Sequence, residues 1–107
     1  MKTSEIKAFV HRNRIADVVS ALSSAGYRNI SVIDVQGLLR AMDNKEQQYS
    51  VEIGQKVITE VKLELVCDSE SSTAEAISLI REHGRTGKPD AGWIFVSEIQ
   101  ACFEITG

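Results

Sequence analysis

VKLELVCDSESSTAEAISLIREHG, from Val61 to Gly84, carries two hydrophobic periods in succession. Val61, Leu63 and Leu65 alternate with Lys62 and Glu64, the pattern of a strand with one buried and one solvated face, predicted to run to about Cys67. Ser72, Thr73, Ala74 and Glu75 then match a capping box, in which serine and glutamate side chains satisfy free backbone donors at a helix start. The helix is predicted to bury Ala76, Ile77 and Ile80 and to stop at Gly84.

Working outward, Arg85 to Gly92 holds the turn formers Gly87, Pro89 and Gly92, after which Trp93, Ile94, Phe95 and Val96 read as a last strand. Near the start, Ile6, Ala8 and Val10 fall on one side at period two, predicting a first strand. A basic turn, His11 to Arg14, leads to Ile15, Val18, Val19 and Leu22 at helical spacing, with Gly26 able to end the helix in the left-handed conformation. From Asn29 the β-branched Ile30, Val32, Ile33 and Val35 predict a second strand, broken at Gly37. The order β, α, β, β, α, β predicts an α+β, ferredoxin-like sandwich, two helices on one face of a four-stranded antiparallel sheet.

Between the second and third strands lies LLRAMDNKEQQYSVEIGQK, Leu38 to Lys56, polar at its centre and without sustained periodicity. Loops of that length are uncommon in compact domains and are usually functional or disordered. Its flanks, Leu38, Leu39, Met42, Val51 and Ile53, are more apolar than a solvated loop requires, so they are expected to bury against a target. The plainer reading of Asp43 to Glu46 is a solvated hairpin tip.

With 107 residues and 43% hydrophobic content, the chain is expected to form a single domain, 1–107, with its long loop at about 38–58. A net charge of −3, with no cluster of lysine and arginine, argues against nucleic acid as a partner. Met1 to Glu5 begins neither a signal peptide nor a bilayer span, so a cytoplasmic protein without membrane insertion is expected. Cys67 and Cys102 sit far apart in apolar contexts and are expected to be reduced, packed residues, with a redox role as the alternative. His11 and His83 lack a neighbouring carboxylate pattern, and no catalytic or metal-binding constellation emerges; an enzyme on this fold is the weakest reading. Each βα half is too short to hold a cleft, so a ligand site would lie at the sheet edge or between subunits.

RTGKPDAGWIFV, Arg85 to Val96, resembles the signature of the P-II signal-transduction family, approximately RTGKxGDGKIFV. Asp17 to Gly26, the run ISVIDVQG ending at Gly37 and VKLELV from Val61 align with family elements, so nearly the whole chain is covered. The resemblance implies a homotrimer binding adenine nucleotides between subunits, with Leu38 to Lys56 as a loop that contacts a membrane transporter or metabolic enzyme. It implies nucleotide contacts at Ser31, Gly37, Arg40, Thr86, Gly87, Lys88, Gly92 and Trp93, and partner contacts at Met42, Lys45, Glu46, Tyr49, Val51 and Ile53. The physical logic is a switch in which a ligand at the loop base selects among loop states.

Departures from the family pattern alter the implied chemistry. Trp93 stands where the family has a phosphate-contacting lysine, and Glu104 is the charged residue nearest to two missing C-terminal arginines. Charge-assisted contacts are the strong ones for phosphate, so a ligand less charged than ATP, such as ADP or AMP, is favoured. Ala41 and Glu60 replace the family glutamine and lysine of the 2-oxoglutarate site, and Ile53 replaces the uridylylated tyrosine, with Tyr49 nearby. Trp93 reads either as an aromatic lid on a base or as a residue filling the core or a subunit interface. Thr86, Gly87 and Lys88 read either as an anion-binding turn or as a plain turn. The alternative to a sensor is an adaptor on the same fold that binds its partner constitutively, without nucleotide.

Overall fold

The computed structural model describes residues 3–34, 60–89 and 92–106. Its central strand is β1 (Ser4–His11), whose alternation puts Ile6, Ala8 and Val10 in the interior and Lys7 and Phe9 on the other face. β1 pairs antiparallel with β3 (Glu60–Cys67) on one side and β4 (Gly92–Glu98) on the other; β2 (Ser31–Ile33) pairs antiparallel with β3. The resulting order, β2-β3-β1-β4, is the split arrangement expected from the sequence.

Two helices cover the buried face. α1 (Ile15–Ser24) follows a single 3₁₀ turn, Arg12–Arg14, and contributes Val18 and Leu22; α2 (Glu70–Gly84) contributes Ala76 and Ile80. They meet Val61, Leu63, Leu65 and Cys67 of β3 and the three interior residues of β1. Ile77 and Val19 pack at the margin of this core. The start of α1 is tied to the end of α2 by Arg14, whose Nε donates to the His83 carbonyl oxygen at 3.0 Å while its guanidinium pairs with Asp17 at 3.1 Å. Asp17, in the first turn of α1, also sits favourably at the positive end of the helix dipole. Gly26, with φ of 98°, ends the helical region in the left-handed conformation expected of it.

The cap of α2 differs from the sequence expectation. The N-cap is Ser69, not Ser72: the Ser69 Oγ accepts from the Ser72 N–H at 3.1 Å, and the Ser72 Oγ accepts from the Ser69 N–H at 3.2 Å. A serine thus serves at the third helical position where a glutamate was expected, and the helix begins one turn earlier. Tyr27 braces this end, its hydroxyl donating to the Ser72 carbonyl oxygen at 2.5 Å. Burial, with Glu75 nearby, pushes the phenol up to about 12.

Two further expectations are corrected. β2 spans only Ser31–Ile33, so Ile30 lies outside the strand, packed against the core; Val35 and Gly37 fall outside the described residues. Cys67 is buried, and burial raises its thiol pKa, but Cys102 is exposed rather than packed, in a segment where the described residues after Glu98 form no strand. Among the described residues, no helix is long and apolar enough to cross a membrane.

Candidate functional site

At Gly84 the α2 helix abuts the side chains of Val18 and Val10, and Arg85 turns out into extended backbone. Thr86 follows, its Oγ accepting from the Lys88 N–H at 3.3 Å across Gly87, which holds φ at +82° with open space around it. This local bond fixes the Thr86–Lys88 turn and leaves the Gly87 and Lys88 side exposed. The chain then enters β4 at Gly92, which passes tightly over β1: a Cβ there would lie 2.3 Å from the Phe9 carbonyl oxygen. Only glycine fits that approach.

Strand register decides where Trp93 points. Ile94 and Val96 pair with Ala8 and Ile6 on the helix side of the sheet, so Trp93 and Phe95, paired with Phe9 and Lys7, face away from the helices. Trp93 is 58% exposed and Phe95 56%, and the Phe95 ring meets Phe9 edge to face at 6.1 Å. Trp93 therefore does not fill the protomer core. With Ile33 of β2 and Val66 of β3 it makes the open face of the sheet more apolar than a solvated face requires.

A cleft of about 270 Å³ opens where the end of α2 meets the start of β4. Val10, Ile80 and Ile94 are among its lining residues, with Gly92 and Trp93 on one side and Arg81 and Arg85 on the other. Of the nucleotide-contact residues expected from the sequence, the structure brings only Gly92 and Trp93 into this cleft; Thr86, Gly87 and Lys88 lie just outside its lining. Ser31 is on β2, at the opposite edge of the sheet, separated from β4 by β3 and β1. Three strand spacings put that separation at roughly 14 Å. Gly37 and Arg40, and the loop residues Met42, Lys45, Glu46, Tyr49, Val51 and Ile53, lie outside the described residues, as does Ala41.

Sequence reasoning missed the two arginines of the cleft. The available signal was the spacing of Arg81 with Ile77, four residues apart on one stripe of α2, with Arg85 just past the helix end. It also missed Arg12, whose guanidinium grips the Asp34 carboxylate with two bonds, 2.5 and 2.9 Å, where the chain leaves β2 for the long loop. The bond to Asp34 raises the Arg12 pKa further, so the guanidinium stays charged at any ordinary pH. His11 uses its Nδ1 to accept from the Asn13 N–H at 3.2 Å, capping the 3₁₀ turn. Glu60 opens β3 opposite His11, and Glu104 lies exposed beyond β4. No group of three His, Cys, Asp or Glu side chains among the described residues could hold a metal ion.

The strand order, the two helices on one face and the long segment between β2 and β3 define a ferredoxin-like protomer of the P-II type. The family model for nitrogen regulatory protein P-II matches residues 3–106. Nitrogen regulatory protein P-II 1 of Methanothermobacter thermautotrophicus is 36% identical over 102 residues, covering 92% of this chain and 86% of its own. Nitrogen regulatory protein GlnK of Escherichia coli is 30% identical over 92 residues, covering 86% and 81%. Among solved structures, Arabidopsis thaliana PII bound to citrate superposes with a TM-score of 0.65 at 30% identity, covering 92% of this chain and 78% of that one. The chain belongs to the P-II family and is a regulatory signalling protein of that family.

Proposed function

We propose that this P-II protein is a homotrimer that binds a small ligand, an adenine nucleotide, in clefts between its copies and controls a transporter or metabolic enzyme through the loop from Leu38 to Lys56. The observation that carries this reading is the split of the expected contacts between the two edges of the sheet, Ser31 on β2 and the segment from Thr86 to Trp93 at β4. One protomer cannot close a site across that distance. A head-to-tail association, β2 edge against β4 edge, brings the halves together and, with a rotation that closes, generates a ring. The apolar open face, Phe9, Trp93 and Phe95 with Ile33 and Val66, supplies surface for such a ring to bury.

The ligand chemistry follows from the cations on hand. Arg81 and Arg85 line the cleft that Gly92 and Trp93 also border, with Lys88 exposed just outside it, a setting for a base carrying one or two phosphates. Calorimetric titration with ATP, ADP, AMP and cyclic nucleotides tests this. Saturable heat with ADP or AMP is the expected result; no heat from any of them at millimolar concentration overturns the sensing function. The constitutive adaptor would then be the better reading, with Trp93 and Glu104 accounting for the missing phosphate contacts.

A further inference from the structure

The 3₁₀ turn Arg12–Arg14 is three residues long, and none of the three is buried. Polar bonds hold it where packing does not. His11 closes its first end, Nδ1 accepting from the Asn13 N–H at 3.2 Å. Its two arginines then reach separate parts of the fold. Arg14 holds the end of α2, its Nε donating to the His83 carbonyl oxygen at 3.0 Å in a half-buried contact. Arg12 holds Asp34, the residue that follows β2, with both carboxylate oxygens engaged at 2.5 and 2.9 Å. A planar fork on two oxygens fixes orientation as well as distance. Since β3 lies between β1 and β2 in the sheet, this pair joins the ends of two strands that do not pair with each other.

We propose that this turn is a relay, in which Arg14 and Arg12 are positioning residues that couple the end of α2, and the Thr86–Lys88 turn beyond it, to the exit of the chain from β2 at Asp34. A displacement of the last turn of α2 carries the His83 carbonyl oxygen and, with it, Arg14. Only Asn13 separates Arg14 from Arg12, so the same displacement turns the Arg12 fork and the Asp34 carboxylate that it grips. The sheet offers no easier path. β1 and β3 are paired from Ser4–Cys67 to His11–Glu60 over a buried face, whereas an unburied turn at their end moves at lower cost. Asp17, 3.1 Å from the Arg14 guanidinium, ties the start of α1 to the same point. A brace serving the helices alone would need Arg14 but not Arg12. Coupling of this kind is reciprocal, so a change at Asp34 must be felt at the end of α2. The inference deepens the proposed function, in which a ligand beside α2 and β4 sets the loop that follows β2, and rests on that reading for its consequence, but its test needs no ligand.

Amide hydrogen exchange of the whole protein, followed residue by residue by NMR, provides the test. Arg14→Ala is expected to speed exchange at residues 31–34 by roughly two- to fivefold, the scale of one polar contact in a local opening. Asp34→Asn, which keeps the shape of the side chain and removes its charge, is expected to speed exchange at residues 84–88 by a similar factor. Ser69→Ala removes the cap at the other end of α2 and is expected to leave both segments as in the wild type. Arg14→Ala and Asp34→Asn variants that each alter only their own end would make the turn two separate braces and overturn the proposal. An equal rise in Ser69→Ala assigns the effect to a general loss of stability and also overturns it. Absence of heat on titration with ADP strikes the sensing function instead, and leaves the exchange results to decide the relay.

Discussion

At the residue scale, one side chain, Tyr27, and one missing side chain, at Gly92, fix local geometry with measurable consequences. Gly92→Ala forces a methyl to within 2.3 Å of the Phe9 carbonyl oxygen, so β4 must shift from β1. A loss of about 1–3 kcal/mol is expected in urea unfolding, the range for imposed backbone strain. Tyr27→Phe removes the bond to the Ser72 carbonyl and is expected to cost about 0.5–1.5 kcal/mol. The same tyrosine gives a pH signature. Its folded pKa, about 12, lies above the ordinary 10, so its contribution is complete below pH 10 and is lost as pH rises from 10 to 12. Unfolding curves of wild type and Tyr27→Phe should therefore converge over that alkaline window. What the sequence could not supply at this scale was direction. Trp93 to Val96 is an unbroken apolar run, so no alternation says which residue faces the helices. Only the register with β1 turns Trp93 outward.

At the scale of elements, β1 and β3 were legible because each alternates cleanly, and the structure pairs Ile6 with Leu65, Ala8 with Leu63 and Val10 with Val61. Leu63, with no exposed surface and opposite Ala8, is a core position where truncation is costly: Leu63→Ala is expected to lose about 2–5 kcal/mol. The start of α2 was misplaced because two overlapping patterns compete in DSESSTAE. Glutamate at the third helical position is the commoner box partner, yet Ser69 with Ser72 wins, and Thr73 adds a bond from its Oγ1 to the Ser69 carbonyl at 2.8 Å. The two registers are separable by mutation. Ser69→Ala is expected to cost about 1 kcal/mol, whereas Glu75→Ala, exposed within the helix, should change stability by less than about 0.5 kcal/mol. The Arg12–Asp34 pair was illegible for another reason: its partners are far apart in sequence, and only the pairing of β1, β3 and β2 brings the two strand ends together.

At the scale of the whole molecule, the family signature at Arg85 to Val96 identified the protomer, and the family match extends over residues 3–106. The site was less legible than the fold because its expected parts among the described residues occupy both edges of one sheet, and the cleft at α2 and β4 is lined by Arg81, outside the quoted signature, and by Arg85, its first residue, neither of which the sequence marks as a contact. The apolar open face, with Trp93 and Phe95 more than half exposed, is the surface that the proposed trimer would bury. Light scattering across a dilution series tests that claim most directly. The expected mass is three times the 11.8 kDa of one chain, held down to micromolar concentration. A mass of one chain throughout the series would contradict the account, since the sheet edges would then have nothing to close against.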